Sequence, residues 1–205
     1  MFTRLIAFAI CTFAFVSTTH ADFSAYKCEG PTRGPVTVIK NKGACEGFKT
    51  ASGIVKFPRV ASGELFVSTD ARTVVMIEDY LPAQVLKDGT TVEALYNPEP
   101  LVASPSCRTE RLFPINLGSV VFNVVHDPCV LTVYRDGKAV AGYDLARLVK
   151  NLAGVQHSIS HIRWVASLPT TIDGDRFTLT TITGRRIVFD TRDGRILQEA
   201  DLPRP

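Results

Sequence analysis

The chain contains few of the residues that most often carry catalysis or binding: four histidines, one tryptophan and two methionines among 205 residues. It lacks the Gly-x-Ser-x-Gly nucleophile turn and the common glycine-rich phosphate loops. Its net charge of +3 is small, and a near-neutral domain has no electrostatic reason to bind nucleic acid or an anionic membrane. The composition therefore favours neither a common hydrolase nor a nucleotide-binding or nucleic-acid-binding protein.

Long apolar runs are also missing, except near the start of the chain. Leu5 to Val16 is almost wholly apolar, follows the single positive charge of Arg4, and precedes Thr-His-Ala at positions 19–21. These are the three parts of a secretory signal peptide, whereas a membrane span needs about 20 apolar residues. We predict that residues 1–21 are a cleaved signal peptide. Residues 22–205 are then one domain of the periplasm or the extracellular space, without membrane insertion.

Four cysteines remain after this predicted cleavage, and an even number in an oxidising compartment predicts two disulfides. Three pairings are possible, and the pairing of sequence neighbours closes loops of about 17 and 22 residues, each stabilising the fold by roughly 3 kcal/mol. A zinc site is the alternative, but no two cysteines have the Cys-x₂₋₄-Cys spacing of such sites. We predict disulfides, no metal and no cofactor. The four residues are Cys28, Cys45, Cys107 and Cys129.

Alternation of apolar and polar residues with period two recurs between turn residues and predicts a mainly β fold. Asp-Gly, a strong hairpin signal, occurs at 88–89, 136–137, 173–174 and 193–194. Residues 144–152 instead have helical spacing, with Asp144 as the N-cap, and predict one short helix. The proline-rich residues 97–118 have no periodicity, which predicts either a functional loop or an element that the pattern hides.

An internal repeat is visible in the second half of the chain. Residues 133–145 (VYRDGKAVAGYDL) recur as residues 188–202 (VFDTRDGRILQEADL), and from the Asp-Gly onward the offset is 57 residues. A looser similarity joins residues 70–77 with residues 173–182. Each unit is predicted to be a hairpin, formed by an aromatic-bearing strand, a turn, and a strand that ends in Asp-Leu.

The repeat segments carry a resemblance to a known group of proteins. FVSTDARTVVMI, LTVYRDGKAVAGYDL, SHIRW and FTLTTITGRRIVFDTRDGRIL resemble segments of uncharacterised bacterial secreted proteins with β-propeller-like blade repeats. The resemblance covers residues 66–197 outside the proline-rich segment. It implies antiparallel hairpin units resembling propeller blades, and no activity. A closed propeller needs at least four blades, so the two visible repeats predict an open or sandwich-like arrangement.

Three residues are candidates for binding: His157, His161 and Trp164. His157 and His161 have the spacing of metal ligands on a helix, but their neighbours indicate a strand, in which residues four apart lie about 13 Å from each other. We therefore predict no metal there. Trp164 is predicted to be a core residue with its ring N–H bonded, and the alternative is an exposed binding aromatic.

The function predicted from these features is non-catalytic. A rigid, disulfide-bonded β fold without a recognisable catalytic set indicates a secreted or periplasmic module that binds a protein or a cell-envelope ligand. A narrower version is an inhibitor that uses residues 97–118 to block a secreted enzyme. The alternative is a small secreted hydrolase whose site is assembled from distant strands, with His157 or His161 as the base.

Overall fold

The structure, a computed structural model, describes ten parts of the chain. The predicted signal peptide, residues 1–21, lies outside them. Within them, no helix is long and apolar enough to span a bilayer. The side chains of the strand residues in 58–60, 79–94, 111–126, 156–157 and 162 are not described. The described parts are residues 28–80, 83–87, 90–94, 107, 111–117, 120–126, 129–151, 155–157, 162–167 and 172–203.

Mostly antiparallel strands, the turns between them and one short helix make up these residues, and the mainly β fold is as the alternation predicted. The strands are β1 (Cys28–Glu29), β2 (Thr37–Asn41), β3 (Ala44–Thr50), β4 (Gly53–Val67), β5 (Thr73–Tyr80), β6 (Ala83–Lys87), β7 (Thr90–Ala94), β8 (Arg111–Leu117), β9 (Val120–His126), β10 (Cys129–Arg135), β11 (Lys138–Asp144), β12 (Gln156–His157), β13 (Ile162–Arg163), β14 (Val165–Ser167), β15 (Arg176–Thr181), β16 (Arg185–Asp190) and β17 (Ile196–Asp201). The helix is α1 (Leu145–Leu148).

The strands form three larger sheets and one short hairpin. The central sheet has the order β11-β10-β5-β4-β3-β2, and β1 pairs in parallel with β4. A second sheet has the order β14-β15-β16-β17, a third has the order β7-β6-β9-β8, and β12 pairs with β13. The third sheet continues the β5–β10 pair, since β6 follows β5 and pairs with β9, which precedes β10. No described sheet closes into a barrel or a ring.

The internal repeat corresponds to two four-stranded units, and the ladders β5–β10–β11 and β15–β16–β17 within them have the same register. We call residues 64–67 of β4 with β5, β10 and β11 the first blade, and β14–β17 the second blade. In the first blade, a bulge at Val140 interrupts the pairing of β10 with β11. The second blade has its bulge at Leu197, which is the same position 57 residues later. The predicted hairpin repeat is therefore confirmed, and it includes an irregularity of the backbone.

The β5–β10 pair of the central sheet is buried on both faces, because alternate residues of these two strands enter two different cores. Val75 of β5 and Val133 of β10 point toward the second blade, where they share one core with the buried residues of β15 and β16. Their neighbours Val74 and Tyr134 point the other way, into a core covered by β2 and β3. Phe48 of β3 packs edge-on against Tyr134, with 5.2 Å between ring centroids.

The predicted short helix is present, but it comprises only Leu145–Leu148 of the expected 144–152. Asp144 caps it as predicted, because its carboxylate accepts the backbone N–H three residues on, at 2.6 Å. The helix ends early because Val149 is extended and buried. The guanidinium of Arg185 donates to the last two helical carbonyls at 2.8 and 3.3 Å, so these groups need no further helical turn.

The proline-rich segment 97–118 contains a strand at residues 111–117, so the alternative of an element that the pattern hides is confirmed there. These residues form β8, which pairs with β9 along its whole length. The strand contains Pro114, which has no N–H to donate, and its place at the edge of the sheet tolerates that loss. Apart from Cys107, the remaining residues of the segment lie outside the described parts.

Both predicted disulfides are present, and each joins sequence neighbours. Cys28–Cys45 ties β1 to β3 beside the core under the central sheet. Cys107–Cys129 ties the end of the proline-rich segment to the first residue of β10. The second bond therefore fixes the chain where the third sheet continues from the central sheet. Of the three pairings that the sequence left open, this is the one with the shortest loops.

We predict that Gly63→Ala destabilises the protein by about 1–3 kcal/mol more than Gly53→Ala, although both glycines are in β4. Both have positive φ, 149° and 142°. A Cβ at Gly63 would lie 1.9 Å from the carbonyl oxygen of Ile77, whereas one at Gly53 meets no atom within 4 Å. Urea unfolding of the two disulfide-bonded variants measures the difference. Equal losses would show that β4 and β5 can separate without cost.

Candidate binding surface

Trp164 is a core residue. Its ring is 1% exposed, and its indole N–H donates to the carbonyl oxygen of Glu78 at 2.9 Å. The side chain thus joins the segment before β14 to β5, within the core between the two blades. The alternative of an exposed binding aromatic is wrong, because the ring has no free face to offer a ligand.

His157 lies in β12 and pairs with Ile162 of β13, and the two strands run in opposite directions. The side chain of His157 and the whole of His161 lie outside the described parts. A metal or catalytic role for this pair stays untested.

Four turns that are far apart in sequence meet at one end of the two blades. They are residues 68–72, 135–137, 173–175 and 190–195, and together they form what we call the turn surface. Asp136 N–H donates to the Arg72 carbonyl at 2.8 Å. Thr191 N–H donates to the Asp175 carbonyl at 2.9 Å. The Thr73 hydroxyl donates to the Thr191 carbonyl at 3.2 Å, and this bond connects the pair of turns of the first blade to the pair of the second.

In the first blade, this surface carries a network of two arginines and two aspartates. The Arg72 guanidinium donates two bonds to the Asp136 carboxylate, at 2.8 and 2.7 Å. Arg135 lies between the carboxylates, 3.4 Å from Asp70 and 3.9 Å from Asp136, and donates to the Thr73 hydroxyl at 2.7 Å. The Arg72 hydrogen bonds hold the pKa of Asp136 below its usual range, and the Ser68 hydroxyl does so for Asp70.

In the second blade, one buried carboxylate organises the surface. The Asp190 side chain is 2% exposed, whereas that of Arg192 is 59% exposed. Arg192 donates to Asp190 from its backbone N–H at 2.9 Å and from its guanidinium at 3.0 and 2.7 Å. These bonds hold the pKa of Asp190 far below its usual range. Arg195 lies 3.7 Å from the same carboxylate and 3.3 Å from Asp193.

A small cavity of about 180 Å³ opens between the turn surface and the β3–β4 hairpin. Arg72, Asp70 and Asp136 form its charged side, and residues 50–52 form the facing side. The space is too small for most drug-sized ligands, whose sites are roughly 300–1,000 Å³. It has room for one side chain of a partner, and both signs of charge are present within it.

Sequence reasoning missed this surface, although a signal for it was present. Asp-x-Arg occurs at 70–72, 190–192 and 193–195, and each time the aspartate accepts the backbone N–H of the arginine. This local bond is an Asx turn, which fixes the direction in which the arginine leaves the chain. The pattern is short and frequent in proteins. Only the stacking of the two blades shows that its three copies share one surface.

We predict that Asp190→Asn destabilises the fold at neutral pH by about 1–3 kcal/mol, because it removes a buried charged acceptor that three arginine N–H bonds satisfy. A carboxylate with a lowered pKa in the folded state contributes stability above its unfolded pKa of about 3.9 and loses it as the pH falls below that. The variant should therefore lose less stability than the unchanged chain on acidification from about pH 5 to pH 3.

Urea unfolding at a series of pH values measures this prediction, and Asp193→Asn is the matched control. Asp193 accepts an arginine N–H in the same way, at 3.0 Å, but its side chain is exposed. The control should lose less than about 0.5 kcal/mol. If the two variants have the same stability and the same pH dependence, Asp190 does not organise the turn.

Comparison with known proteins leaves the chain without a recognised relative. The sequence matches no protein family and no curated protein, and the structure matches no solved structure. The resemblance to secreted proteins with blade repeats therefore stays a prediction. Among the residues that the structure describes, no three His, Cys, Asp or Glu side chains lie close enough together to hold a metal ion. The evidence for function is thus the chain's own geometry.

Proposed function

We propose that the chain is a secreted or periplasmic, non-catalytic binding module that recognises a protein partner through its turn surface. The observation that supports the proposal is that aspartates of the turns hold exposed arginine side chains in position. The side chains of Arg72, Arg192 and Arg195 are 58%, 59% and 64% exposed. Each of them is nevertheless held by at least one carboxylate within 3.3 Å.

Holding these side chains in place lowers the cost of binding. An arginine that is free in solution loses rotamer entropy when a partner fixes it, at about 0.5–1.5 kcal/mol for each immobilised side chain. Arg72 and Arg192 each donate two side-chain bonds to one carboxylate, so part of that entropy is already lost on folding. Arginine is also enriched among the residues that dominate the energy of protein interfaces.

The charges of the surface favour a protein as the partner. Its arginines are interleaved with aspartates, so the surface does not form a field of one sign. Nucleic acid and anionic membranes select a uniformly basic face. A protein surface carries both signs and can pair with each group in turn. The residues concerned are Arg72, Arg135, Arg192, Arg195, Asp70, Asp136, Asp175, Asp190 and Asp193.

We predict that Arg72→Ala combined with Arg192→Ala weakens binding of the partner at least about 30-fold, since the loss of even one hot-spot arginine costs about 2 kcal/mol or more. Immobilised residues 22–205, with both disulfides formed, are first used to retain a protein from an envelope extract at physiological salt. The retained protein is identified, and its affinity is then measured by calorimetry for the unchanged chain and for the double variant.

Arg186→Ala is the matched control, because Arg186 is exposed on β16 but lies outside the turn surface. Its affinity should equal that of the unchanged chain. If the double variant binds as tightly as the control, the turn surface is not the binding site. If no protein is retained at physiological salt, the proposed function loses its support. The alternative, hydrolysis with His157 or His161 as base, stays a prediction from the sequence.

A further inference from the structure

The two blades stack in the same orientation, like successive members of a repeat. We call the face of the first blade that packs on the second blade its front face. The equivalent face of the second blade follows from the registers: Val133 pairs with Val75 in the first blade, and Val188 pairs with Thr178 in the second. The first blade's front face thus meets the second blade's back face, which carries Phe177 and Phe189. Among the residues that the structure describes, no further sheet shares a core with the front face of the second blade.

Position by position, these two front faces differ in chemistry. In the first blade the face is apolar and belongs to the core. In the second blade, threonine, arginine and glutamine replace most of its apolar residues, and Arg186 and Gln198 are exposed. The first face comprises Val75, Ile77, Leu131, Val133, Ala141 and Tyr143, and the second comprises, in the same order, Thr178, Thr180, Arg186, Val188, Gln198 and Ala200.

The opposite end of the stack is closed by different means. The back face of the first blade carries Tyr134 and Met76, which are 4% and 0% exposed. Phe48 of β3 and Phe57 of β4 cover this face, with Phe57 5.9 Å from Tyr134 between ring centroids. The disulfide Cys28–Cys45 fixes the covering layer. The face onto which a preceding blade would stack is therefore already occupied by the chain itself.

We infer that both ends of the two-blade stack are closed, so that the chain does not add a further blade from a second copy of itself. A repeat that stacks in one orientation is open at both ends and can propagate into rings or filaments. Terminal repeats of such arrays carry a polar outer face, which keeps them soluble. The second blade has that chemistry, and the layer β1–β3 has the same effect at the other end. The inference does not depend on the proposed function.

The test gives the front face of the second blade the apolar residues that the first blade has on its front face. Thr178→Val, Thr180→Ile, Arg186→Leu and Gln198→Ala each introduce the residue that the first blade has at the equivalent position. We predict that the disulfide-bonded mature variant self-associates in sedimentation velocity, whereas the unchanged chain does not associate through this face. Because the back face of the first blade is covered, the restored faces should meet each other and form a dimer.

The control places apolar residues on another sheet surface, with Thr37→Val and Lys49→Leu, a cross-strand pair of β2 and β3. If the restored variant does not fold, Thr178→Val with Thr180→Ile replaces it, because both substitutions keep β-branched side chains in a strand. Association of the control to the same extent, or of neither variant, would overturn the inference. So would association of the unchanged chain that is lost on Thr180→Lys.

Discussion

The rest of the structure depends on the burial of the β5–β10 pair on both of its faces. Val75 and Val133 face the second blade, whereas Val74 and Tyr134 face the layer formed by β2 and β3. Successive side chains of a strand point to opposite faces of the sheet. Both cores must therefore form if all the large apolar side chains of the pair are to be buried. Burial of the pair therefore requires both the second blade and the β2–β3 part of the same sheet. Without either one, a row of large apolar side chains would meet water, at about 25 cal/mol for each Å² exposed.

This double burial also explains where function can be located. Both faces of the first blade are buried in cores, and the front face of the second blade is polar. Groups from both blades also meet at the ends of the strands, where the turns bring arginines and aspartates together. The hydrogen bond from Thr73 to the Thr191 carbonyl crosses between the blades at this point. Core packing thus sets the relative position of the charged groups.

Much of the fold was accessible from the sequence, because local patterns determine it. Alternation predicted the strands, Asp136-Gly137 predicted a hairpin, and Asp144 predicted a cap. The cysteine count predicted two disulfides without deciding their pairing. The strand β8 was missed because Pro114 interrupts its pattern, and only the partner β9 compensates for that. The turn surface was missed for a related reason: sequence does not state which turns become neighbours, since that depends on stacking between blades.

The most direct test of the account is site-specific photocrosslinking from two surfaces of the same folded chain. A photoreactive residue is placed at Ala71 or Asp193, in the turn surface, or at Thr178 or Gln198, on the front face of the second blade. The protein, prepared as residues 22–205, is then irradiated in an envelope extract. The account predicts that the two turn positions crosslink to the same protein and that the two front-face positions do not. A crosslinked partner obtained from Thr178 and Gln198 but not from Ala71 and Asp193 would contradict it.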